Sequence, residues 1–312
     1  MAPLALTMGD AAGIGPEITV KAWAALKDTG PQFFAVADPA VYRRLDVPLR
    51  LIEAPQEAPA AFADALPVLP LAPENATVVA IERAVTLVCR GQASGVVTNP
   101  INKHALYEAG FKFPGHTEFI AHLCNAGPPL MMLMNDTLKV ALVTIHLPLA
   151  EVPAALSRPA IIDCARRFSA ALRADFAIAA PRLAVAALNP HGGESGALGR
   201  EEIDIIQPAV RALNARGLDV TGPLPADSLF HQAARARYDA VICLYHDQAL
   251  IPLKTLDFHH GVNVTLGLPI VRTSPDHGTA YDIAGQGVAN PHSLIAALRL
   301  ARDIARHRAA RP

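Results

Sequence analysis

The sequence lacks paired cysteines, long apolar runs and an excess of either charge, and it is poor in aromatic rings. Each absence excludes something. Its four cysteines, Cys89, Cys124, Cys164 and Cys243, stand singly in apolar or amphipathic stretches. So scattered, they offer neither a disulfide framework nor a thiolate zinc site, and they read as small buried core residues. Lysine and arginine number 27 against 28 aspartates and glutamates, spread along the chain. Nucleic-acid and membrane-surface binders cluster their basic charge, so neither partner is expected. No segment supplies the roughly 20 uninterrupted apolar residues of a spanning helix. The stretch Met1–Met8 has no basic region and too short an apolar run for a secretion signal. A soluble, cytoplasmic protein is expected. The phosphate-binding pattern GxxxxGK followed by Ser or Thr is also missing. The glycine-rich turn Gly9–Pro16 does not have GxGxxG spacing, which argues against a Rossmann dinucleotide site.

What the chain does have is aliphatic bulk. Of its 312 residues 52% are hydrophobic, with 5% aromatic and 18% charged, enough for a large core of Ala, Val, Leu and Ile in about two domains. Short apolar runs alternate with amphipathic segments. Strands are predicted over Leu4–Met8, Phe33–Ala37, Gly95–Thr98, Leu130–Met134, Lys139–Thr144, Leu183–Leu188, Ala240–Tyr245 and Val262–Leu266. Helices are predicted over Pro16–Lys27, Thr77–Cys89, Asn102–Ala109, Thr117–Cys124, Arg158–Arg173, Glu201–Arg216, Ala226–Arg237 and Pro291–Arg306. The stretch Pro48–Pro73 reads as loop with short strands. Near-continuous apolar strands alternating with helices specify an α/β fold, with sheets covered on both faces.

The chemistry gathers in turns that follow strands, where open α/β sheets bind ligands. His146, His191 and His246 each lie just past the carboxyl end of a predicted strand. Three neutral imidazoles with one position left open make a catalytic metal site, suited to zinc, with cobalt, nickel or manganese able to substitute. Any one of them alone would read as a histidine capping a turn. Asp227 and Asp247 stand beside these turns, either to orient an imidazole or to meet a substrate amine; Asp227 equally suits a helix start.

For an anion, His116 and Thr117 stand at a predicted helix start, where free N–H groups and the dipole attract negative charge. Lys254, Asn263 and Arg272 are expected on or beside short strands, with few acids near them, as phosphate or carboxylate contacts. Surface charge is the plainer account of a lone Lys or Arg. The stretch Asp276–Pro291 could cradle a cofactor. Gly278 and Gly285 permit close backbone approach, Asp282 could accept from a ribose hydroxyl, and His277 could stack or donate. A glycine-rich connection before the last helix would look the same.

Taken in order, the segments Thr7–Glu17, Pro114–Glu118, Asn189–Glu194, Gly222–Asp227, Tyr245–Gln248, Thr265–Pro269 and Arg272–Ala280 closely resemble the 4-hydroxythreonine-4-phosphate dehydrogenase family of vitamin B6 biosynthesis. The likeness covers nearly the whole chain. The last segment also resembles the adenosine-binding loop of isopropylmalate and isocitrate dehydrogenases. Ala11 stands where the family usually has Pro, Gly192 where Ala is common, Ala249 where Gly is usual and Pro275 where Val is typical; none of these removes a polar group given a role.

The resemblance implies the two-domain α/β/α architecture of that superfamily, with residues 1–115 plus 265–312 forming a terminal, cofactor-side domain and 116–264 a middle domain. The middle domain would carry the metal ligands and the dimer interface. It implies a homodimer with shared active sites, a divalent metal (Zn, Mg, Co or Mn) on His146, His191 and His246, and His246 as the imidazole reaching in from a partner. His116, Thr117, Lys254, Asn263 and Arg272 would hold the phosphorylated hydroxy amino acid. NAD or NADP would lie along His277, Gly278, Thr279, Asp282, Ala284, Gly285 and Asn290. The reaction implied is oxidation of a secondary alcohol to a β-keto acid that then decarboxylates, with Lys254, Asp247 or Asp227 handling the proton. Two rivals stand beside it. One is a sister dehydrogenase acting on phosphorylated threonate or erythronate or on an aromatic cis-diol acid. The other is a metal-dependent phosphatase, which needs no nicotinamide.

Overall fold

The computed structural model describes residues 1–102, 106–107 and 111–311. In chain order its strands are β1 (Leu4–Thr7), β2 (Phe33–Ala37), β3 (Leu49–Leu51), β4 (Leu66–Pro70), β5 (Val96–Thr98), β6 (Leu130–Met134), β7 (Lys139–Leu142), β8 (Arg182–Ala186), β9 (Asp219–Leu224), β10 (Ala240–Cys243), β11 (Val262–Leu266) and β12 (Arg272–Pro275). Its longer α-helices are α1 (Gly15–Leu26), α2 (Ala76–Cys89), α3 (His116–Leu123), α4 (Arg158–Asp175), α5 (Gln207–Asn214), α6 (His246–Leu256) and α7 (His292–Ala309). The chain is α/β.

Two compact units divide these elements, Met1–Pro129 with Val262–Pro312, and Leu130–Gly261. Residues 116–129 and 262–264 thus group with the chain ends, unlike the expected boundaries. The pairing explains it: β11 runs antiparallel to β12 in register Val262↔Pro275, and α3 packs through Phe119 and Ile120 into the core that also holds Ile81 and Val85 of α2.

In the terminal unit the strand order is β3-β4-β2-β1-β5-β12-β11, parallel except for β11. That order is not the 3-2-1-4-5-6 of a Rossmann sheet. Every residue of β1 and β2 is buried, as strands covered on both faces must be. Helix α7 buries Leu294, Ala297, Leu298, Ala301, Ile304 and Ala305, the three- and four-residue spacing of one apolar stripe.

In the middle unit the order is β6-β7-β10-β8-β9, parallel apart from β6 against β7. Its core joins Leu133, Val140, Leu142, Val241, Cys243 and Leu253.

Several expectations change. The helix expected over Asn102–Ala109 lies for the most part outside the described residues. Where one helix was expected over Ala226–Arg237, two short turns form, Ala226–Ser228 and Gln232–Arg235. Between them His231 is extended, and the carbonyl of buried Leu229 accepts from the Tyr238 hydroxyl (2.8 Å) rather than from an N–H one turn on. The helix expected from Glu201 opens with a π-helical turn, Glu202–Ile206. Lys254 and Pro252 lie on α6, not on a strand. Cys164 and Cys243 are buried, but Cys124 is half-buried and Cys89 is exposed at the end of α2, where an amphipathic helix runs out of core to face. No helix among the described residues is long and apolar enough to cross a membrane.

Candidate functional site

In the middle unit the turns after β7, β8 and β10 carry the three histidines, and each is secured by a side chain bonding to main chain. Thr144 donates through Oγ1 to the Leu244 carbonyl (2.6 Å), and its N–H reaches the same oxygen at 3.2 Å. This ties the end of β7 to the end of β10. The rings of His146 and His246 consequently stand side by side, centroids 5.8 Å apart and planes at 43°. His246 is the first residue of α6, and its Nδ1 lies 2.7 Å from Asp247 Oδ1. A carboxylate there holds the neutral ring as its Nδ1–H tautomer and leaves the Nε2 lone pair for a ligand.

Gln248 performs the same tying on the other side of β10. Only 6% exposed, it donates through Nε2 to the Ala187 carbonyl (2.7 Å) and accepts from the Leu244 N–H (2.8 Å). Beyond β8, the buried Glu202 carboxylate accepts from the N–H groups of Leu188 and Asn189, both at 2.8 Å, and from Asn189 Nδ2 at 2.9 Å. The chain then winds left-handed, with φ of 53° at His191, 67° at Gly192, 79° at Gly193, 43° at Glu194 and 58° at Ser195. For the non-glycine residues this costs about 1–3 kcal/mol each and persists only where the surroundings impose it. The turn carrying Asp227 packs against this segment; both His191 and Asp227 are exposed.

These donors suit an imidazole-bound cation only in part. His146 and His246 meet, but among the described residues no three His, Cys, Asp or Glu side chains gather closely enough to hold an ion. The structure also pairs His246 with His146 of the same chain, whereas the expectation had it reaching from a partner. Lys254 occupies the last turn of α6, its Nζ 5.6 Å from the centre of the Phe258 ring.

In the terminal unit, Arg272 opens β12 and is 3% exposed. Its Nη1 donates to Thr265 Oγ1 on β11 (2.9 Å) and its Nη2 to Thr98 Oγ1 on β5 (2.7 Å). Its Nε has no hydrogen-bond partner among the described residues, nor has Oδ1 of Asn263 on β11. Burial pulls the guanidinium pKa down to about 10, opposed by the charge of Glu118 on α3. His116 and Thr117 open α3, the helix that carries Glu118. A buried cation held by two neutral hydroxyls, with a donor left over, is a site made for an anion. The same unit holds a cavity of about 650 Å³ lined by Asp10, Thr77, Phe111, Lys112, Phe113 and Phe119 among others, within the size range of small-metabolite pockets.

The stretch from His277 to Asn290 is irregular and mostly exposed, and segment 10–21 holds it. The Ile14 N–H donates to the Thr279 carbonyl (2.9 Å). Gly13 lies so close that a Cβ there would sit 2.8 Å from that oxygen. The Tyr281 hydroxyl donates to Asp10.

The profile of the family described as Pyridoxal phosphate biosynthetic protein PdxA matches residues 40–301. This chain belongs to that family. It is 55% identical to the 4-hydroxythreonine-4-phosphate dehydrogenase of Caulobacter vibrioides, over 98% of either chain. It is similar in structure to the 4-hydroxythreonine-4-phosphate dehydrogenase from Klebsiella pneumoniae, with a TM-score of 0.87, 39% identity and coverage of 97% and 98%. A terephthalate 1,2-cis-dihydrodiol dehydrogenase from Burkholderia xenovorans LB400 is more distant, at 29% identity and a TM-score of 0.64 over 97% and 98% of the chains.

For this member of the PdxA family, sequence reasoning named side chains with obvious chemistry and passed over their supports. Thr98, Thr265, Thr144, Gln248 and Glu202 were given no role. Gln248 alone carried a signal, as a polar residue two places after His246 in an otherwise apolar stretch.

Proposed function

We propose that this protein oxidises 4-phosphohydroxy-L-threonine with a nicotinamide cofactor, NAD or NADP, in the cytoplasm. The β-keto acid formed loses carbon dioxide to give 3-amino-2-oxopropyl phosphate, a step toward pyridoxal 5'-phosphate. Family membership and the names of its relatives support the reaction. The observation that carries the substrate class is Arg272, a buried guanidinium with no carboxylate hydrogen-bonded to it and an Nε–H unused.

In this reading Arg272 and Asn263 hold the phosphate, joined by His116, Thr117 and Lys254. Held at its far end, the substrate is positioned by binding energy gained remote from the reacting carbon. His146, His191 and His246 would hold one divalent cation in a homodimer with shared active sites, with Asp247 fixing the ring of His246. A divalent cation there would supply Lewis acidity for the oxidation and decarboxylation, and the nicotinamide would supply the hydride acceptor. Lys254 takes the hydroxyl proton, since Asp247 is committed to His246, and Asp227 meets the substrate amine. His277, Gly278, Thr279, Asp282, Ala284, Gly285 and Asn290 line the cofactor.

The homodimer has support in the middle unit. Leu147 and Leu149 after His146, and Ile251, Leu256 and Phe258 on and beyond α6, are exposed by 38–71%. Apolar side chains so placed mark a contact surface. The test is NADH absorbance with 4-phosphohydroxy-L-threonine, with and without a chelator, against 4-phosphothreonate and an aromatic cis-diol acid. Turnover of either rival in preference to the amino acid would sink the substrate assignment, and phosphate release without NADH would sink the oxidation.

A further inference from the structure

We infer that Lys21, together with Glu17, is a positioning residue for the cofactor, acting by anchoring the tail of the loop that ends at Asn290. The inference rests on the reading above that this loop carries the nicotinamide dinucleotide. A lysine ammonium has three N–H donors, and here all three are engaged. Nζ donates to Glu17 Oε1 at 2.8 Å, to the Gly287 carbonyl at 2.8 Å and to the Ala289 carbonyl at 2.7 Å. The Ala289 N–H donates in turn to the same Glu17 oxygen at 2.9 Å. A closed ring of charge-assisted bonds thus joins one face of α1 to main chain more than 260 residues away.

Val288 is 63% exposed while Ala289 beside it is 1% exposed, so Ala289 is the point at which the tail enters the protein. At the other end, Ile14 and Asp10 secure Thr279 and Tyr281. Both ends of the loop therefore hang from one continuous stretch, the first turn and first helix. Burial pushes the Glu17 carboxyl up, but the Lys21 ammonium and the Ala289 N–H outweigh it and hold it below its usual range, so the ring is charged at neutral pH. A backbone suspended at two ends and glycine-rich between them, with Gly285 and Gly287 at φ of 75°, is placed by its anchors rather than by packing.

The experiment compares the metal-loaded enzyme with its Lys21→Met and Glu17→Gln variants. Lys21 is one-third exposed, so methionine keeps the stem and removes the donors. The readouts are the KM for NAD, kcat, and hydrogen exchange of the 283–290 amides without cofactor. Hydrogen bonds to a charged group are worth about 1.5–3 kcal/mol. Lys21→Met should therefore raise the KM for NAD about tenfold or more, change kcat by less than about threefold, and speed exchange at Ala289. Glu17→Gln should do the same more weakly. Unchanged exchange in both variants overturns the anchor. Faster exchange with an unchanged KM for NAD shows that the anchor exists but that the loop does not carry the dinucleotide, which overturns the cofactor reading instead.

Discussion

Two strands of this protein begin with arginine, and the two side chains show what separates support from function. Arg182, at the start of β8, lies at the surface and forks onto Asp239, with Nη2 to Oδ1 at 2.9 Å and Nε to Oδ2 at 3.3 Å. Each side chain raises the other's preference for charge: the guanidinium pKa goes up and that of Asp239 goes down. Arg272, at the start of β12, is buried between Thr98 and Thr265, and no carboxylate among the described residues hydrogen-bonds to it. The first arginine is satisfied by its own chain. The second is desolvated and incompletely satisfied, an arrangement that folding alone does not favour. An exposed ion pair is expected to matter little to anything; a buried cation without a carboxylate partner among the described residues is what the proposed phosphate site requires.

The largest effect should come from Arg272→Met. Removing one partner of a buried charged contact costs about 2–5 kcal/mol of binding, so kcat/KM should fall about thirtyfold to several thousandfold. The sign of the stability change is the sharper test. A guanidinium whose pKa falls from 12.5 to about 10 on burial costs the fold stability at every pH below that value, and the cost fades only as pH rises through it. In neutral buffer the variant escapes that cost, so calorimetry should show Tm unchanged or higher while turnover collapses. A protein that both loses activity and melts earlier would mean that Arg272 is a structural residue.

Next comes Asp247→Asn, which leaves His246 in place but weakens its orientation. Metal affinity, followed by titrating the metal-free enzyme, should drop about 10- to 100-fold; no change would remove Asp247 from the site. Thr265→Val takes one acceptor from Arg272 and leaves another donor buried without a partner, at about 1–3 kcal/mol. Its signature should be a raised KM for the phosphorylated substrate with kcat little altered, and a KM equal to the parent's would break the link between the threonines and the anion. Smallest is Arg182→Ala. Kinetics should match the parent and the melting curve should barely move, so a substantial loss in either would erase the contrast between the two arginines.

The histidines extend the same lesson. That His146, His191 and His246 each follow a buried strand was legible, because strand ends are marked by apolar runs giving way to polar residues. Which of them meet was not, because the strand order that seats β10 between β7 and β8 is a matter of pairing with partners 57 and 101 residues away. Lys254 was expected on a strand because Pro252 stands beside it; helix α6 absorbs that proline since packing around Ala249 and Leu253 outweighs a local preference. The loop after β8 was recognised by its composition, but no local pattern announces its left-handed run through His191 and Glu194 or the Glu202 carboxylate that caps Leu188 and Asn189 before it.

By itself the sequence determined the α/β class, the alternation of elements, that three histidines each follow a strand, and the family. These depend on hydrophobic periodicity and residue chemistry, which are written along the chain. Tertiary structure alone decided which polar groups are left unsatisfied, which turns are tied together by Thr144 and Gln248, and how segment 10–21 reaches the far end of the chain to hold Thr279, Gly287 and Ala289. Those outcomes depend on distance and on exclusion of water, and neither exists until the strands have paired.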